Sequence, residues 1–140
     1  MIKLLLAAIF GGLLSIAAAH ACSCVWDENF TIEKHAASVD AIFSAEFLGS
    51  SRSDEKIGPA REGKFRVIES LKGDASSVAI VLYDRANGGN CGLTFKRKKV
   101  YHVYAHRHDE KKFVTNLCSG LMAPGDPTTY WQNLRKHLKG

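Results

Sequence analysis

The 140-residue chain lacks the local signatures that mark many enzymes. It has no Gly-rich phosphate loop, no paired-histidine zinc-protease helix and no Gly-x-Ser-x-Gly nucleophile elbow. Internal repeats are absent, which excludes solenoids and propellers. Low-complexity tracts are absent too. The basic run Lys96-Arg97-Lys98-Lys99 has no interleaved aromatic residues, and Lys111-Lys112 stands apart from it. A single-strand nucleic-acid platform needs both charge and stacking surfaces, so the run reads as a solvated turn. No nucleic-acid partner is expected.

What is present begins at the N-terminus. Lys3 precedes an uncharged stretch rich in Leu, Ile and Ala, and Ala19-His20-Ala21 places small residues at −3 and −1. That pattern describes a secretory signal peptide, residues 1–21, cut before Cys22. The protein is then secreted, or periplasmic or extracellular. It has no stable membrane insertion unless the leader stays uncleaved or Cys22 is lipidated. A lipoprotein leader favours a Leu-like residue at −3, where Ala19 stands. Cleavage leaves 119 of the 140 residues, enough for one domain with a modest core. Lys3 leaves with the leader, so Lys plus Arg falls from 19 to 18 against 14 acidic residues, a net charge of +4. All four cysteines, Cys22, Cys24, Cys91 and Cys118, remain. In an oxidising compartment an even number implies two disulfides, here with three pairings open. A Cys22–Cys24 bond would close a strained ring, so each is expected to reach a distant partner.

Along the mature chain, Ile32, Ala36 and Val39 fall at helical spacing, with Asn29 or Thr31 as N-cap. Ala41–Leu48, Lys64–Leu71 and Val78–Tyr83 read as strands, with a polar loop from Gly49 to Gly63 and a turn at Lys72-Gly73-Asp74. Val100–Ala105 and Phe113–Leu117 flank a polar turn at Asp109 and end at Cys118. A final helix is expected from Pro127 to Leu138, with Asp126 as N-cap. Short strands with two small helices imply a mainly β, closed or sandwiched domain.

Candidate chemistry is concentrated in few residues. Cys91 beside a histidine could form a nucleophile–base pair, but disulfide bonding in an exported chain removes the thiol. His102, His106 and His108 alternate along one strand. No fourth ligand is placed by the sequence, so they read as the polar side of a hairpin rather than a metal site. Tyr130 and Trp131 read as core. The mature N-terminus is more specific. A Cys22 held by a disulfide presents an α-amine and its own carbonyl oxygen, two ligands that close a small chelate ring. A catalytic zinc with three protein ligands and one exchangeable water could accept them, with Ser23 pointing where a substrate side chain goes.

Several pieces in order carry a family resemblance: Cys22-Ser23-Cys24, Phe65-x-Val67 leading to Leu71-Lys72-Gly73, Cys91-Gly92, Tyr101-x-Val103-Tyr104-Ala105, and Thr115-Asn116-Leu117-Cys118. Together they resemble the N-terminal domain of the tissue inhibitors of metalloproteinases, within the wider netrin-like class. The resemblance implies a five-stranded OB-type β-barrel over residues 22–125, with a short N-terminal helix, a C-terminal helical tail at 126–140 and two disulfides. It implies the pairings Cys22 to Cys91 and Cys24 to Cys118. It also implies an inhibitory ridge of Cys22, Ser23, Cys24, Val25 and Trp26 beside the Ala86–Asn90 loop, with Asn87, Gly88, Gly89 and Asn90 at its tip. The function implied is inhibition of a zinc metalloprotease, with Cys22 binding the target's zinc in trans and no cofactor or catalytic residue of its own. The alternative is an exported netrin-like protein-binding or structural module without inhibitory activity. The chain departs from the family at Trp26, where the vertebrate inhibitors tend to carry proline. It also lacks their third N-terminal disulfide and their disulfide-rich C-terminal domain.

Overall fold

A computed structural model describes residues 24, 28–56, 58–86, 91–119 and 127–140. In chain order the elements are α1 (Ile32–Ser38), β1 (Ala41–Arg52), β2 (Arg61–Lys72), β3 (Val78–Tyr83), β4 (Val100–Arg107), β5 (Lys112–Val114), a 3-10 turn (Leu117–Ser119) and α2 (Pro127–Lys139). The strands close into a barrel in the order β1-β2-β3-β5-β4. All neighbours are antiparallel except β3 and β5, which run parallel through Val81 and Phe113.

Alternation along the strands explains the closure. Ala41, Phe43, Ala45 and Phe47 of β1 point into the barrel, where they meet Phe65, Val81, Val103 and Phe113. Ile42 points outward yet is fully buried, because it lies beneath the helices with Ala36, Val39, Tyr104, Tyr130, Trp131 and Leu134. The first five residues of β1 are therefore buried on both faces, which accounts for a run that is apolar except for Ser44. Register shifts at Ile42/Phe43, Ser44/Ala45 and Phe47/Gly49 bend β1 so that it pairs with both β2 and β4.

Two expected boundaries move. The expected loop from Gly49 to Gly63 is shorter than expected, since β1 runs to Arg52, β2 starts at Arg61, and Ser50 pairs with Gly63. The ladder uses main-chain groups, so polar side chains on a solvated edge do not end it. The expected strand Phe113–Leu117 shortens to Lys112–Val114. There the Asn116 carboxamide oxygen accepts from Cys118 N (2.9 Å) and Ser119 Oγ (3.1 Å), turning the chain.

The short helix α1 is held at both ends. Thr31 Oγ1 accepts from Lys34 N at the start. At the other end Lys72 Nζ, from β2, donates to the carbonyls of Ala36 (2.6 Å) and Val39 (2.5 Å). The next residue, Gly73, has φ 76°, and a Cβ there would lie 2.5 Å from the Asp40 carbonyl oxygen. Gly73→Ala should therefore cost about 2 kcal/mol, from left-handed strain plus the clash, read as a lowered urea midpoint at unchanged m-value.

The helix α2 packs across the outer face of β4. Trp131 stacks on His102 (4.1 Å between ring centroids, 11° between planes), and Leu134 is fully buried. The face shared by His102, His106 and His108 is expected from the sequence to be the polar side of a hairpin, and Tyr104 lies on it between His102 and His106. Tyr104 is buried under the helices, so that face is covered there rather than open. Among the described residues no helix is long and apolar enough to cross a membrane.

Candidate functional site

The candidate site is anchored by Cys24, which forms a disulfide with Cys118 (Cα–Cα 5.4 Å) across 94 residues. This is the pairing that the family resemblance implies. None of the described cysteines, Cys91 included, is a free thiol. Cys22, Ser23, Val25, Trp26 and Asn87 through Asn90 lie outside the described residues, as do the leader and Asp126.

Cys118 sits in the 3-10 turn, and that turn is tied to both helices by one buried side chain. His35 Nε2 hydrogen-bonds the Ser119 carbonyl oxygen at 2.7 Å, and Nδ1 contacts the Tyr130 hydroxyl. A carbonyl can only accept, so Nε2 carries the proton and Nδ1 accepts from Tyr130. The ring is held neutral: burial pushes its pKa down, against a smaller opposing pull from the Ser119 carbonyl. Burial pushes the Tyr130 hydroxyl well up, with a smaller push from Glu33, so it remains a donor. Phe30 packs on both rings, 5.7 Å from His35 and 6.3 Å from Tyr130. A groove of about 430 Å³ opens beside the disulfide, lined by Phe30, Lys34, His35, His106, Cys118 and Ser119.

His35 was not singled out from the sequence. The signal was present, because 35 shares the helical face of 32, 36 and 39. A lone histidine on an apolar stripe invites a search for buried partners, and these lie 84 and 95 residues away.

The loop expected to form the second half of the ridge has a defined base. Arg85 and Leu93 form a parallel bridge. Leu93 N donates to Asp84 O (2.7 Å) and Ala86 N to Leu93 O (3.1 Å). Gly92 lies so close that a Cβ would meet Ala86 N at 2.5 Å. The Cys91-Gly92 pair thus stands beside the close approach of residues 84–86 to Leu93.

The histidine trio is divided among three partners. His102 stacks on Trp131, His106 Nδ1 lies 4.0 Å from Asp40, and His108 Nε2 lies 3.4 Å from Glu55. Among the described residues no group of three or more His, Cys, Asp or Glu side chains could hold a metal ion.

The remaining residues of the resemblance have structural work. Phe65 and Val103 fill the barrel, Lys72 caps α1, and Thr115 Oγ1 donates to Tyr104 O at 2.7 Å. Tyr101 accepts from Lys96 N at 2.8 Å. No family model matches the chain, and no curated protein matches it.

Proposed function

We propose that this protein is a secreted netrin-like inhibitor of zinc metalloproteases, acting through the α-amine and carbonyl oxygen of Cys22. In this reading the barrel is OB-type, supported by its strand order and its single parallel pair, β3 with β5. The second disulfide joins Cys22 to Cys91. The observation that carries the reading is the Cys24–Cys118 bond. Cys24 is two residues from Cys22, and its partner sits in a turn fastened to α1 and α2 through His35 and Tyr130. A chain end anchored so close to its amine pays little ordering entropy on entering an active-site cleft. Ser23, Val25, Trp26 and the 87–90 loop then supply the surface around the chelating atoms. A disulfide between distant segments also fits an oxidising compartment outside the cytoplasm.

The test compares mature protein beginning at Cys22 with protein carrying one additional alanine before it, against a panel of zinc proteases. Chelation requires the free Cys22 amine in register, so the extension is expected to weaken inhibition at least 100-fold, roughly 3 kcal/mol. Equal potency of the two forms would overturn the mechanism.

One observation favours the alternative of a non-inhibitory module. Lys72, Gly73, Gly92, Thr115 and Asn116, which carry much of the resemblance, all serve the barrel and its helices. A barrel can keep those residues and exert no inhibition. In that case neither form inhibits any protease of the panel.

A further inference from the structure

Two consecutive residues of α2 rest on histidines that come from different elements. Tyr130 donates to Nδ1 of His35 in α1, and Trp131 stacks on His102 in β4. Tyr104 lies between the two contacts, its ring 5.0 Å from that of His35 and 6.5 Å from that of Trp131. The N-terminal part of α2 is therefore held to the barrel through two side chains of the type that titrates in mildly acidic solution.

The His35 contact needs a neutral ring. Its Nε2 already donates to the Ser119 carbonyl, so a proton on Nδ1 turns the acceptor of Tyr130 into a second donor. The surroundings do not offset the added charge. Lys34 on α1 and His106 on β4 line the groove beside His35, and none of the described residues lining it is a carboxylate. Lys72 Nζ from β2 lies on the carbonyls of Ala36 and Val39, and Asp40 faces His106 at 4.0 Å. His102 faces Trp131 and Arg135 from α2 and Glu69 from β2. Burial and Arg135 oppose its charged form, against a weaker pull from Glu69.

The other end of α2 responds in the opposite sense. Arg135 and Lys139 both pair with Glu69, and their hydrogen bonds hold its carboxyl below the usual range, so it stays ionised while histidines protonate. His137 Nδ1 lies 3.9 Å from Glu33, a contact that protonation of His137 strengthens. Acid thus loosens the first turns of α2 and tightens the last.

We propose that α2 is an acid-released lid, whose N-terminal turns lift from the barrel in mildly acidic solution while its C-terminal turn stays tied to Glu69 and Glu33. The lifted turns uncover Ile42, Val39 and Tyr104, the apolar floor beneath Tyr130 and Trp131. They also part the Ser119 turn from α2, since His35 is the side chain that joins them. The lid is independent of the Cys22 mechanism.

Acrylamide quenching of Trp131 fluorescence tests the lid in a Trp26→Phe background, where Trp131 is the one remaining tryptophan. Trp131 is 6% exposed with the lid down, so quenching at pH 7.5 is expected to be weak. The quenching constant should rise roughly threefold by pH 5, while the barrel amides of Phe43, Val81 and Val103 remain protected from hydrogen exchange. His35→Gln keeps a donor for Ser119 and an acceptor for Tyr130 without a titratable ring, and His102→Phe keeps a ring under Trp131. Both substitutions together should hold quenching at pH 5 near its pH 7.5 value, and each alone should give a smaller rise than the parent. Three results would overturn the proposal: a quenching constant that does not change with pH, a rise as large in the double variant, or a rise only where the barrel amides lose protection as well.

Discussion

Serine at both Cys24 and Cys118 is expected to lower the free energy of unfolding by about 4 kcal/mol. The bond closes a loop with a sequence separation of 94, and loops of that order restrict the unfolded chain heavily. Typical domains are stable by only about 5–15 kcal/mol, so the loss is a large fraction of the whole. It corresponds to a fall in melting temperature of roughly 15 °C for a domain of this size. The barrel's own hydrogen bonds do not involve the cysteines, so far-UV circular dichroism below the transition should match the parent. Under the proposed inhibitor reading, potency falls with the anchor as well, because the segment next to Cys22 is then tethered less firmly. A loss of stability below about 1 kcal/mol would show that packing of the turn, not the cross-link, holds that end.

His35→Ala is expected to cost about 3 kcal/mol, the other large effect. It empties a buried site between Phe30, Tyr104 and Tyr130. It also leaves the Ser119 carbonyl and the Tyr130 hydroxyl without their shared partner. His35→Phe, which restores ring volume without the nitrogens, should recover only part of the loss. The same residue sets a pH dependence. Burial holds its folded pKa below the unfolded value, so between the two the unfolded state binds more protons. Its contribution is therefore complete above about pH 6.5 and declines as pH falls from there through the folded pKa. His102, whose pKa is lowered first by burial under Trp131 and then by Arg135, acts in the same direction. Urea unfolding at pH 7.5 and pH 5 should show the parent losing more stability on acidification than either His35 variant. Equal losses would place the acid sensitivity elsewhere.

The elements legible in the sequence were those whose signal is local. Val78–Tyr83 is a strand with the bounds that its β-branched run suggests, and Pro127 opens α2. Thr31 caps α1, as one of the two residues proposed for it. The mainly β barrel with a helix near each end follows from counting such segments. What escaped depends on distant partners. Residues 49–52 and 61–63 look like loop because their side chains are small or polar, while their main chains complete the β1–β2 ladder. The outer face of β4 looked open because nothing near it in sequence announces that Trp131 will lie on His102. Within the candidate site, the Cys24–Cys118 pairing came from family likeness, since spacing left three pairings open.

The Cys24–Cys118 bond has a topological consequence. Every strand of the barrel lies between the two cysteines, so chain and disulfide together form a covalent circle that encloses the whole sheet. One proteolytic cut anywhere on that circle, for instance between β1 and β2, opens it without releasing a fragment. The two pieces remain one molecule until the disulfide is reduced. The barrel can thus take a first nick with all five strands still attached.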